Sequence, residues 1–183
     1  MSDIPAPDGS SPKRQRFDSP PPMIIDPQRR YTATIETSKG TIVAELDAVG
    51  APVTVNNFVF LARWHYFDGI VFHRIIPGFV IQGGDPEGTG RGGPGYRFGD
   101  ELPKPGRYQV GSLAMANSGP DTNGSQFFIV SGPDGARLPP QYSLFGSVVR
   151  GDEVVEAIDA VGSRSGAPAE RVVIESVTIA ERE

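Results

Sequence analysis

The chain has 183 residues, 38% of them hydrophobic, a formal net charge of −5 and no cysteine. That length suits one domain with a sizeable core, and the acidic balance, with a pI near 5.1, argues against nucleic acid as a partner. The lack of cysteine excludes disulfides, thiolate nucleophiles and iron–sulfur clusters. The opening MSDIPAPDGSSPKRQRF has no apolar core of signal-peptide length, and no run approaches about 18 consecutive apolar residues, so a cytoplasmic protein without membrane association is the expectation.

Residues 1–30 carry seven prolines, three of them consecutive at Pro20 to Pro22, with Phe17 as the sole aromatic. Such a segment buries too little apolar surface to offset its ordering entropy, so a flexible or extended Pro-rich extension is expected, with MIIDP, residues 23–27, as a candidate anchor. From Tyr31 the texture changes, and one domain is expected over residues 31–183. YTATIETSKGTIVAELD predicts a hairpin around Ser38-Lys39-Gly40 with Ile42, Ala44 and Leu46 on its buried face. In the following APVTVNNFVFLARWHYFDG, residues Val55, Phe58, Val59 and Ala62 recur at helical spacing behind Thr54 as a cap. A second helix is predicted in GDEVVEAIDAVG, capped by Asp152 and stopped by Gly162. VFHRII, FVIQ, VGSLAMA, SQFFIV, SLFGSVV and RVVIESVTIA read as strands. Two helices among about eight strands predict a mainly β sheet closing into a barrel or sandwich.

Nine of the 23 glycines lie between Gly83 and Gly106, in a long structured loop. Within it, Gly88-x-Gly90-x-x-Gly93 has the form of a dinucleotide fingerprint but runs into Pro94-Gly95 instead of opening a helix, which disfavours a nucleotide. His65 and His73 are the only histidines, and no carboxylate stands at a recognised spacing from them, so no metal site is expected. Ser125 follows a turn-like Asn123-Gly124 and has no nucleophile elbow around it. What remains is one cation among uncharged donors and apolar groups: Arg74, Phe79, Gln82, Asn117, Gln126, Phe128 and Leu138. A period of two in VFHRII places Phe72, Arg74 and Ile76 on one face and Val71, His73 and Ile75 on the other. By pattern alone, Arg74 reads equally as half of an ion pair or as a functional cation.

FHRIIPGFVIQGGDPEGTGRGG and SLAMANSGPDTNGSQFFIV, in that order and at that distance, resemble the two signature blocks of the cyclophilin family of peptidyl-prolyl cis-trans isomerases. The resemblance spans about residues 31–180. It implies a closed eight-stranded antiparallel β-barrel capped by two α-helices. It also implies a catalytic set of Arg74, Phe79, Gln82, Gln126 and Phe128, and a substrate-binding set of Val80, Ala116, Asn117, Ser118, Leu138 and Tyr142. Arg137 stands where many relatives have tryptophan, Tyr142 where many have histidine, and Val80 where methionine is frequent, which sets this groove apart with respect to cyclosporin, the family's inhibitor.

Rotation about an X–Pro bond breaks no covalent bond and needs only preferential binding of the twisted amide, so no cofactor is expected. The expected partners are proline-containing peptides and unfolded or flexible protein segments, met by a monomer. A proline-binding adaptor of the same fold is the rival reading. A further possibility is that residues 1–30 offer their own prolines to the groove. Phe79 and Gln82, three apart, face the same way only if Pro77-Gly78 or Gly83-Gly84 makes a bend.

Overall fold

The computed structural model describes residues 4–183; residues 1–3 of the N-terminal extension lie outside it. The elements in chain order are β1 (Arg30–Thr37), β2 (Gly40–Leu46), α1 (Pro52–Arg63), β3 (Arg74–Ile76), β4 (Val80–Gly83), β5 (Ser112–Met115), β6 (Phe127–Val130), β7 (Leu144–Arg150), α2 (Asp152–Asp159) and β8 (Ile174–Arg182). The strands form one eight-stranded antiparallel sheet in the order β3-β4-β6-β5-β7-β2-β1-β8.

The predicted hairpin is β1–β2, with Ile35 paired to Ile42 and Ala33 to Ala44, all fully buried. Alternation sends these residues, with Ile75, Ile81, Leu113 and Ile129, into one core shared with α1 and α2. The expected closure of the barrel is corrected. β3 and β8 are the two ends of the sheet order and share no ladder; the seam carries an isolated bridge, Val71 to Val173, with hydrogen bonds from Phe72 N–H to Val172 C=O, Gly69 N–H to Ile174 C=O and Ile174 N–H to Ile70 C=O. β3 is only three residues long, and its free edge is taken by the loop after α2: Ile75 N–H donates to Gly166 C=O (2.9 Å) and Ile75 C=O accepts from Ser163 N–H (3.1 Å). The result is an open half-barrel.

Helix boundaries differ from expectation in their caps. Pro52 opens α1 behind Ala51, and Thr54 lies inside the first turn. The exposed N–H groups are taken from a distance: the Glu101 carboxylate accepts from Val53 N–H (3.2 Å), Thr54 N–H (2.7 Å) and Thr54 Oγ1 (2.7 Å). α2 begins at Asp152 with Gly151 as its cap, in a left-handed conformation (φ 96°) that glycine adopts freely. A side chain at Gly151 would also meet the Thr41 carbonyl.

The Pro-rich extension is extended and irregular, as composition implies, but it is docked on the domain. Phe17 and Ile25 belong to the core, with Phe17 against Phe60, Trp64 and Tyr96. Arg14 N–H donates to Trp64 C=O and Phe17 N–H to Pro94 C=O (both 2.9 Å). The Asn56 amide of α1 donates to Pro22 C=O and accepts from Ile24 N–H. This strap covers the outer side of α1, which is why its residues from Thr54 to Arg63 are all buried. Ile25 lies within the expected MIIDP anchor, whereas Phe17 is a second anchor that an averaged composition conceals.

Phe17→Ala should destabilise the protein by about 3 kcal/mol, as for a buried phenylalanine truncation. Urea denaturation measures that loss, and limited proteolysis should show faster cleavage within residues 4–22. An unchanged midpoint and cleavage pattern would mean that the strap is not held by this contact.

Candidate active site

One row of cross-strand partners builds the site. Arg74 of β3 pairs with Gln82 of β4, Gln82 with Phe128 of β6, and Phe128 with Ala114 of β5. The neighbouring row, Ile75-Ile81-Ile129-Leu113, is fully buried in the core. Because side chains alternate along each strand, an apolar inner row forces its neighbour onto the outer face. There Val80, Phe128, Val130, Ala114 and Tyr108 form a second apolar cluster, flanked by Phe79, Ala116, Leu138, Tyr142 and Leu144.

The period of two holds for Arg74 against Ile75 but not for Phe72. Phe72 packs in the main core rather than beside Arg74, because the strand begins only at Arg74. The spacing of Phe79 and Gln82 is settled by a turn. Phe79 N–H donates to Ile76 C=O (3.1 Å) across Pro77-Gly78, with Gly78 at φ 75°, the signature of a type II turn. Phe79 thus precedes β4, and Val80 and Gln82 share its outer face. This turn is clamped on two sides. Gly78 N–H donates to the Asp159 carboxylate at the end of α2 (2.9 Å), Ser131 N–H to Phe79 C=O and Asp134 N–H to Gly78 C=O (both 3.0 Å). A Cβ at Gly132 or Gly135 would lie 2.3 Å from Gly78 Cα or the Phe79 carbonyl, so neither position admits a side chain without displacing the turn.

The polar residues form a directed chain. Gln126 Nε2 donates to the carbonyls of Gly90 (2.9 Å) and Gly92 (3.0 Å), which fixes its amide. Its Oε1 accepts from Gln82 Nε2 (3.1 Å), and Gln82 Oε1 accepts from Arg74 Nη1 (3.2 Å). Gln82, not Gln126, is therefore the residue in contact with Arg74. The guanidinium carbon stands 6.0 Å from the Phe79 ring centroid, and among the described residues Arg74 has no carboxylate partner, which removes the ion-pair reading.

The remaining sequence-derived residues fall around this row. Tyr142 meets Phe128 edge-on at 5.5 Å, and its backbone is held by Tyr108, whose hydroxyl donates to Tyr142 C=O (2.6 Å) and accepts from its N–H (3.2 Å). Leu138 follows a short 3-10 turn, and Arg137 points into solvent. Asn117 spends its side chain locally, on Gln141 C=O and Gly119 N–H. Gln82, Ala116, Asn117, Ser118 and Gln126 line a cavity of about 950 Å³ beside the apolar cluster. Val80 and Phe128 are buried and form the cluster's floor.

Two residues weighed for other chemistry are structural. Ser125 is buried, donating to Gly84 C=O and receiving the Tyr66 hydroxyl (both 2.7 Å), so it carries no free nucleophilic oxygen. His73 is half-buried on the glycine-loop side, and burial lowers its pKa.

Sequence reasoning missed Tyr108, Asp85, Asp159 and Glu101. Asp85 is the hub of the glycine loop. Its carboxylate accepts N–H bonds from Glu87 (2.8 Å), Thr89 (3.0 Å) and Gly90 (2.6 Å), and a Cβ at Gly92 would fall 2.0 Å from it. A carboxylate two to five residues ahead of a glycine-rich turn was the available signal.

Comparisons with known proteins agree with this architecture. Residues 32–179 match the family model described as cyclophilin type peptidyl-prolyl cis-trans isomerase/CLD. Peptidyl-prolyl cis-trans isomerase B of Streptomyces anulatus is 47% identical over 170 residues, which cover 82% of this chain and 97% of that protein. Peptidyl-prolyl cis-trans isomerase-like 2 of Cryptococcus neoformans is 47% identical over 155 residues, and the match spans 80% of this chain but only 27% of that longer protein. Among solved structures, a cyclophilin type isomerase of Cryptosporidium parvum in the presence of the dipeptide Ala-Pro aligns with a TM-score of 0.76 at 35% identity, covering 81% of this chain and 98% of that one. The site is an arginine–glutamine row beside an apolar cluster on an open, mainly β sheet. The chain belongs to the cyclophilin-type peptidyl-prolyl cis-trans isomerase family.

Burial alone would raise the Asp85 pKa, but the backbone N–H donors of Glu87, Gly92, Gly90 and Thr89 together outweigh it and hold the carboxyl below its ordinary value. A depressed folded pKa contributes stability that is complete above the unfolded value of about 3.9 and is lost as pH falls through the folded one. Asp85→Asn would turn an amide donor toward those N–H groups and should cost about 1–3 kcal/mol at pH 7. The gap to wild type should narrow once the pH is taken well below the ordinary carboxylate range. Urea denaturation at both pH values checks this, and a gap independent of pH would exclude the carboxylate's charge as the cause.

Proposed function

We propose that the chain catalyses rotation about X–Pro peptide bonds in unfolded or flexible protein segments and so assists their folding. The observation that carries this reading is the Arg74 guanidinium, fixed by Gln82 at the edge of the apolar cluster around Phe128, with its remaining N–H groups left for a substrate. The presence of Ala-Pro with the Cryptosporidium relative supports a proline-containing ligand.

The barrier of about 18–20 kcal/mol reflects amide resonance. In the twisted state the prolyl nitrogen regains a lone pair, which a permanently charged guanidinium can meet as a donor. Arg74 supplies that donor. Gln82 and Gln126 position it through the directed amide chain, so its geometry is set before the substrate arrives. Phe79, Val80, Phe128, Leu138 and Tyr142 take the pyrrolidine ring. They exclude water that would otherwise hydrogen-bond the carbonyl and favour resonance. The backbones of Ala116, Asn117 and Ser118, beside the groove, hold the substrate chain while the carbonyl swings. A thousandfold acceleration needs only about 4 kcal/mol of differential stabilisation, within reach of one charge-assisted hydrogen bond plus desolvation. No cofactor or metal enters this scheme. A cysteine-free, acidic chain fits a cytoplasmic monomer that binds neither nucleic acid nor membrane.

Arg74→Ala should lower kcat/KM on an Ala-Pro peptide by about ten- to a hundredfold, the worth of one hydrogen bond to a charged group, with the far-ultraviolet circular dichroism unchanged. Exchange NMR or a coupled peptide assay measures it. Wild-type turnover in the variant would remove Arg74 from the mechanism, and binding without acceleration by the wild type would favour a proline-binding adaptor.

A further inference from the structure

We propose that the N-terminal strap completes a cationic subsite next to the proline groove, which takes an anionic side chain, carboxylate or phosphate, of the same substrate; the proposal rests on the isomerase reading above. The cavity that shares Gln82, Ala116, Asn117 and Gln126 with the groove continues along the glycine loop, where its wall carries Arg91, Arg97 and Glu87 and, from the strap, Arg16. Three guanidinium groups face one carboxylate in a chain whose net charge is −5. Arg16, Arg91 and Arg97 are all exposed, and among the described residues none has an acidic partner. A concave wall with an unpaired positive excess favours an anion there and disfavours a cation.

Arg16 is placed there by the strap's anchors. Its neighbours on both sides are fixed: Gln15 Nε2 donates to Tyr66 C=O (2.8 Å), and Phe17 is buried with its N–H on Pro94 C=O (2.9 Å). In an extended chain, residues 15 and 17 face one way and residue 16 the other. The Arg16 carbonyl also accepts Arg14 Nε (3.1 Å), while the Arg14 guanidinium lies 4.5 Å from the Phe17 ring centroid. Strap and loop touch backbone to backbone: a Cβ at Gly95, itself at φ 101°, would fall 2.3 Å from the Phe17 carbonyl oxygen. The family match covers residues 32–179, so Arg16 reaches the wall of the groove from outside the matched domain.

The test uses the full-length protein and a set of Ala-Pro hexapeptides in which Glu, phosphoserine or Gln is walked through each position flanking the dipeptide. Turnover and fluorescence-anisotropy binding are read side by side. At one position kcat/KM and affinity should favour Glu over Gln by roughly fivefold, and phosphoserine by more, with the preference shrinking as salt rises. Arg16→Ala should bring the Glu/Gln ratio to near one while leaving the Gln peptide unaffected, and Arg150→Ala, a distant exposed arginine, should leave the ratio as in wild type. A Glu/Gln ratio of one at every position, or a preference that Arg16→Ala leaves intact, overturns the proposal. The isomerase reading fails separately, if no Gln peptide is accelerated while the Arg16-dependent preference for Glu in binding persists.

Discussion

The site depends on the register of three short strands. With Ile75, Ile81 and Ile129 locked as partners in the core, Arg74, Gln82 and Phe128 have no alternative but to stand in line on the outer face. A slip of one residue in β4 would exchange the two rows, burying a glutamine and exposing an isoleucine. Hydrophobic burial of one row thus positions the polar chemistry of the next. The groove contributes a cluster of its own on the far side of the same sheet, so the strands carry apolar load on both faces.

Around that row, the irregular segments act as braces. The turn at Pro77-Gly78 is gripped by Asp159 and by the backbone of residues 131–134, which fixes where Phe79 sits relative to Arg74. The glycine loop is wound on Asp85 and presents two carbonyls to Gln126. On its other side Pro94 receives the strap. The extension, the loop and the amide chain are therefore mechanically continuous, from Phe17 through Pro94 to Gln126 and Arg74.

Much of this was legible in the sequence, for reasons that differ between elements. The β1–β2 hairpin announces itself by alternation, and β8 by its β-branched run. The two long motif blocks nominated residues that the sheet gathers along one row and one cluster, although the blocks could not say which glutamine touches Arg74, since that depends on amide orientation set by distant carbonyls. The Phe79 to Gln82 spacing required a bend near Pro77-Gly78, and a type II turn is found there. The caps were misjudged because Glu101 reaches α1 from 47 residues away, a contact without any local signal. Closure of the sheet was overestimated because a strand-like pattern does not reveal that the free edge of β3 is taken by the loop at residues 163–166. In residues 4–29 the MIIDP anchor was legible and holds through Ile25, whereas the burial of Phe17 was hidden by the average composition of its neighbourhood.

The directed amide chain ends on main-chain carbonyls, and neither it nor the apolar cluster's Phe79, Val80, Phe128 and Leu138 contains a group that exchanges a proton near neutrality. His73, the nearest histidine in sequence, belongs to the other side of the wall, against the glycine loop. The groove's own side chains consequently hold one charge state near neutrality. Acid reaches the groove from outside that set, through the Asp85-wound loop beneath it and through His73, whose charged form Arg74 opposes.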